Sequence, residues 1–159
     1  MTQAGRMLRP VKVVTGRHPF EVAILSAAAI CGLALALSNT SPRSAAAAMP
    51  GLVQVLWQVL LIAGGVIGLV GVFWPGRLLA QLGTEACGVV LLGTATTMYS
   101  VALFTVAGMQ ALAAGSFVTA AALASWVRLW QIWRDLRRAA AAERRGEMAE
   151  VPLLVEERR

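Results

Sequence analysis

The chain holds very little with which to do acid–base chemistry. It has one histidine, His18, and one aspartate, Asp135. Its two cysteines, Cys31 and Cys87, lie in separate apolar stretches without metal-ligand spacing. No Ser-His-Asp set, no pair of carboxylates inside one apolar stretch and no His/Cys ligand cluster can be assembled from these residues. The sequence therefore predicts a non-enzymatic protein with no catalytic residue, no cofactor and no metal ligand. The cysteines read as small packing residues.

Charge is scarce as well. Charged residues make up 14% of the chain, against about 25% in soluble proteins. From Ala86 to Val127 there is no Asp, Glu, Lys, Arg or His at all. As one helix, that run would extend roughly 63 Å, about twice the ~30 Å hydrocarbon core of a bilayer. Two crossings fit it, with a break at Ala107-Gly108-Met109-Gln110, where glycine and glutamine interrupt the apolar pattern.

The predicted fold is all-α, an integral membrane bundle of four transmembrane helices. The spans are about 19–38, 51–73, 86–106 and 111–130, with the last helix extending to about 138. A basic tail, 1–18, precedes them and a charged tail, 139–159, follows. Of the 14 Lys and Arg residues, all but Arg43 and Arg77 lie before the first apolar run or from Arg128 onward. This is the positive-inside pattern with N and C termini both cytoplasmic, in a bacterial inner (plasma) membrane. The net charge of +6 then reads as a topology signal and a contact with anionic head groups of the lipid bilayer. No nucleic-acid partner is expected.

Pro19 and Glu21 suit the first turn of the first span. A basic segment, an apolar run and Ala45-Ala46-Ala47 also have the layout of a secretory signal and its cleavage site. The apolar run, about 18 residues, exceeds the usual 7–15 of such signals, so a retained helix is expected. In the second span, Gly64 and Gly68 form a GxxxG pair and Gly71 continues the face; Gly115 lies in the small-residue fourth span. Such faces let helices approach closely. A neighbouring span of the same chain is the expected partner, and a second copy, giving a homo-oligomer, is the alternative. No strand precedes the glycines, which excludes a phosphate-binding loop.

Glu85 is the sole acid between Glu21 and Asp135. An ionisable residue at a membrane segment is a functional candidate by default. Its place at the inner edge, near Arg77 in sequence, favours a solvated or paired interfacial carboxylate. Thr94, Thr97, Tyr99 and Ser100 put a row of hydroxyls on the third span. Bonding to carbonyls of their own and adjacent helices is expected in preference to lining a wet path. Trp74 and Arg77 after the second span read as interface anchors, as do Trp126, Arg128, Trp130 and Trp133 at the inner end of the fourth, with Arg134, Arg137 and Arg138 on the other face. Trp57 reads as an interfacial residue at the outer end of the second span.

Three short motifs recur in a fixed order: Arg17-His18-Pro19-Phe20-Glu21 before the first span, Phe73-Trp74-Pro75-Gly76 after the second, and Trp126-Val127-Arg128-Leu129-Trp130-Gln131-Ile132 closing the fourth. Over about residues 17–138 the chain resembles small four-span membrane proteins encoded by phages of GC-rich actinobacteria. The resemblance implies a membrane protein and, as in some of those proteins, a holin that oligomerises and permeabilises the membrane. No single catalytic or binding residue carries over from it. The alternatives are a membrane scaffold or superinfection-exclusion protein acting through its cytoplasmic tail, and a small channel or permease.

Overall fold

The structure, a computed structural model, describes residues 19–74 and 78–144, and contains no strand among them. Its helices are α1 (Pro19–Ser38), α2 (Arg43–Ala48), α3 (Gly51–Phe73), α4 (Leu78–Ala107) and α5 (Leu112–Arg144), with a 3₁₀ turn at Gly108–Ala111. The tail 1–18, residues 145–159, Pro75-Gly76 and the expected anchor Arg77 lie outside the described residues.

α1 ends where Asn39 takes a left-handed φ of 48°. Asparagine is among the few residues with a side chain that tolerate this, and it suits the position just past a helix. The Thr40 amide then donates back to the Leu35 carbonyl at 3.3 Å. The stretch 39–50, between the first two expected spans, contains α2. Its Ala45-Ala46-Ala47-Ala48 run is built of the strongest helix former. Gln54 of α3 ties α2 down through Nε2, donating to Met49 O at 3.1 Å.

The long helices pack through their glycines. Gly65 of α3 lies against Leu25 and Ala29 of α1, and Gly32 of α1 against Leu61 and Ile62. On its other side, α3 sets Gly64 on Leu92, Gly68 on Gly88 and Gly71 on Glu85. The partner numbers fall along α4 as they rise along α3, so the two run antiparallel. α4 and α5 are also antiparallel: Gly93 meets Ser125 and Trp126, Ser100 and Thr119 share a hydrogen bond of 2.6 Å, and Gly115 lies on Phe104. Gly108, with φ +51°, makes the reversal; lacking Cβ, it adopts this conformation at no steric cost.

Three helical stretches, Pro19–Ser38, Gly51–Phe73 and Leu79–Arg138, are long and apolar enough to cross a membrane. The third contains both α4 and α5, folded back on each other at Gly108. Large apolar side chains cover the outside: Leu52 is 83% exposed and Phe117 80%. Such a surface suits lipid as the surrounding solvent.

Sequence and structure differ in several details. α4 begins at Leu78 instead of near residue 86, and α5 runs to Arg144 instead of about 138. Both cysteines are exposed, not packed. Trp57 is no interfacial residue. It is 3% exposed, donates Nε1–H to the Ala95 carbonyl at 3.1 Å and stacks on Tyr99 with ring centroids 5.1 Å apart.

Candidate functional site

Antiparallel packing brings the first turn of α1, the early part of α4 and the later half of α5 to one end of the molecule. Each contributes one charged residue to a single cluster: Glu21, Glu85 and Arg128. The Arg128 guanidinium donates to Glu85 Oε1 through Nη2 at 2.6 Å and Nε at 2.9 Å. The same Nε–H lies 3.3 Å from Glu21 Oε1. Glu85 is 2% exposed, whereas Glu21 and Arg128 keep partial access to the surroundings.

The cluster exists because of its neighbours. Gly71 brings the α3 backbone onto that of Glu85, closing off one side. On α5, Arg128 lies one turn past Leu123 and Ala124; its long side chain reaches along the α4 surface to the carboxylate, much as arginine stems lie on apolar surface while the head seeks polar company. A buried carboxylate is costly unless paired and hydrogen-bonded, and Arg128 supplies both. Among the described residues the cluster holds two carboxylates and one guanidinium. Chemically this is an electrostatic fastening of three helices.

One expectation is corrected here and another is narrowed. Arg128 does not extend freely as an interface anchor; its guanidinium is committed to Glu85 and Glu21. Of the two states expected for Glu85, solvated or paired, it is the paired one, and it is buried, with its partner on α5.

An apolar groove of about 190 Å³ opens beside the cluster, with walls from α1 and α5 and a floor from α4. Ile24 and Leu25, Val89 and Leu92, and Ala121 and Ala124 line it, and Glu21 and Arg128 stand at its polar end. A second cavity, about 480 Å³, lies at the other end of α4 and includes Thr94, Thr97 and Trp126. Its hydroxyls are taken: Thr94 Oγ1 donates to Val90 O at 2.8 Å and Thr97 Oγ1 to Gly93 O at 2.6 Å, while Trp126 Nε1 donates to Thr97 Oγ1 at 3.2 Å. Ser100 is bonded to Thr119, and Tyr99 is held by Trp57. The row of hydroxyls is helix glue.

On both sides of Arg128, α5 carries its aromatic stripe, with Trp126, Trp130 and Trp133 all exposed, and Trp74 is exposed at the end of α3. The arginines do not occupy a separate face. Arg134 stacks over Trp130 at 4.9 Å and Arg137 over Trp133 at 3.5 Å, each one turn further along the helix.

The helix-packing glycines Gly64, Gly68, Gly71 and Gly115 all face other helices of the same chain. Sequence reasoning missed their partner Gly88, which lies five residues from both Gly83 and Gly93 and so forms no GxxxG pair, and missed the joining of Glu21, Glu85 and Arg128. One signal for the latter was present. In helices that alternate direction, all three fall near the same end.

Among the described residues no group of three His, Cys, Asp or Glu side chains is placed to hold a metal ion. Compared with known proteins, no family model, no curated protein and no solved structure matches this chain.

Proposed function

We propose that this chain is a non-enzymatic scaffold of a bacterial inner membrane, crossing it four times with both termini in the cytoplasm. In this reading α1, α3, α4 and α5 are the spans, and the last turns of α5 lie among the cytoplasmic head groups, presenting a cationic helix end and a tail of mixed charge to a partner. The observation that carries the reading is the arginine-on-tryptophan end of α5. Trp130 and Trp133 with Arg134 and Arg137 form the pairing expected of a helix leaving the bilayer through anionic head groups. The ionic cluster supports a static role, because Arg128 of α5 ties Glu85 of α4 and Glu21 of α1 together.

The holin-like reading ranks below it. The small-residue faces available for self-association, at Gly64, Gly68, Gly71 and Gly115, are filled by the chain's own helices. A channel or permease ranks lower still, since the hydroxyls of α4 bond to backbone and to α5. The likeness to actinobacterial phage proteins is consistent with a superinfection-exclusion role for such a scaffold.

Reporter fusions at residues 10 and 159 should both report the cytoplasm, and one at Ala46 the outside. An outside signal from residue 10 overturns the four-span arrangement. Induced expression should leave membrane potential and growth intact. An abrupt collapse of potential, with release of a co-expressed muralytic enzyme, would put the holin reading first.

A further inference from the structure

We infer that the groove between α1 and α5 is a binding site for one zwitterionic aminophospholipid of the inner leaflet, a phosphatidylethanolamine, seated with its head group at Glu21 and Arg128. The inference rests on the membrane reading above and goes beyond it by naming a ligand.

The groove is built like a lipid. Its apolar stretch runs from Glu21 to Leu25 along α1 and from Arg128 back to Ala121 along α5. At 1.5 Å per residue that is a depth of about 10 Å on the α5 side, most of one leaflet's ~15 Å share of the hydrocarbon core. Its volume of about 190 Å³ exceeds the roughly 150 Å³ of an apolar cavity that stays dry and accepts a benzene-sized guest. A segment of acyl chain fits; the one polar side chain along those walls, Ser125, already donates its hydroxyl to Ala121 O at 2.9 Å.

The polar end selects the head group. Glu21 and Glu85 place two carboxylates against the single guanidinium of Arg128. Glu85, buried and held by two N–H donors, is the carboxylate that Arg128 neutralises. Glu21 has the longer contact of 3.3 Å and the greater access. It is therefore the carboxylate available to an ammonium group, and Arg128, which holds Glu85 through Nε and Nη2, has Nη1 left to donate to the phosphate. A purely anionic head group such as phosphatidylglycerol offers no cation to Glu21 and brings its phosphate toward two carboxylates. Charge complementarity thus favours the lipid bearing both signs.

The test is native mass spectrometry of the full-length protein in detergent micelles containing equal amounts of phosphatidylethanolamine and phosphatidylglycerol. The expected result is retention of a single lipid with a phosphatidylethanolamine preference of roughly threefold, the scale of one ion pair with partial access to solvent. Glu21→Gln should bring the preference to about one while leaving Arg128 on Glu85. Ala124→Phe, which fills the groove without touching the charges, should abolish retention of both lipids, with helicity by circular dichroism unchanged. Equal or stronger retention of phosphatidylglycerol overturns the inference, and so does a preference unaltered in both variants. Loss of preference in protein that still resists carbonate extraction from membranes overturns this inference alone. Release by carbonate overturns the membrane reading with it.

Discussion

Gly71 of α3 rests on the backbone of Glu85 of α4: a Cβ placed on Gly71 would stand 2.6 Å from the Glu85 Cα. The contact decides the environment of the carboxylate. α3 encloses Glu85 on one side, and Arg128 meets its carboxylate from α5.

Gly71→Val should therefore push α3 from α4 where the carboxylate is most enclosed. Overpacking of this kind costs about 1–3 kcal/mol. The midpoint temperature at which the protein loses its monodisperse peak in mild detergent should fall. Gly83→Ala is the control, since a Cβ there meets nothing within 4 Å. In the body of α4 it should raise the midpoint, by up to about 1 kcal/mol of helix propensity.

Arg128→Met leaves Glu85 buried without its cation. Removing one partner of a buried pair costs roughly 3–5 kcal/mol, more than the pair itself contributes. Pairing Arg128→Met with Glu85→Leu should recover most of the loss, so the double variant should be more stable than Arg128→Met alone. If the two effects simply add, the ion pair is not the reason for the damage. Arg128→Lys should fall between, because an ammonium cannot reproduce the guanidinium fork on Glu85 Oε1.

Trp57→Phe keeps a ring to stack on Tyr99 but removes the Nε1–H that the Ala95 carbonyl accepts. A loss of about 1 kcal/mol is expected. Trp57→Ala also empties a core position, with an expected cost of about 3–5 kcal/mol. A Phe variant as damaged as the Ala variant would show that the hydrogen bond, and not the ring, carries the position.

Cys31 and Cys87 are exposed on the outer surface of α1 and α4. Where lipid covers these faces, a charged reagent dissolved in water cannot reach either thiol. A charged, water-soluble maleimide should label neither in intact membranes and both after denaturation in sodium dodecyl sulfate. Rapid labelling without denaturation would mean that water, not lipid, covers these helices.

The parts of this architecture written in local spacing were legible from the sequence. Gly64, Gly68 and Gly71 share a face because of the helical repeat, and that face does pack against α4. The run from Ala86 to Val127 demanded a reversal, and Gly108 provides it. What was hidden depends on contacts between distant residues. Arg128 lies far along the chain from both Glu85 and Glu21, and Arg77 was the nearer cation in sequence. Trp57 looked interfacial because an outer-end tryptophan usually is; its carbonyl partner, Ala95, is an apolar residue whose side chain gives no hint. α2 was obscured by Pro42 and Pro50, which bracket an alanine run too short to announce itself through periodicity.

The reversal at Gly108 also bears on how the chain enters a membrane. Between α4 and α5 the turn is a single 3₁₀ segment, Gly108–Ala111, with Gln110 as its one polar side chain. A hairpin with so small a tip asks the insertion machinery to translocate almost no hydrophilic mass. α4 and α5 can therefore enter together as one preformed unit, already joined through Ser100 and Thr119; in the orientation proposed above, the Glu85–Arg128 pair then closes at the side of synthesis without either charge crossing the bilayer.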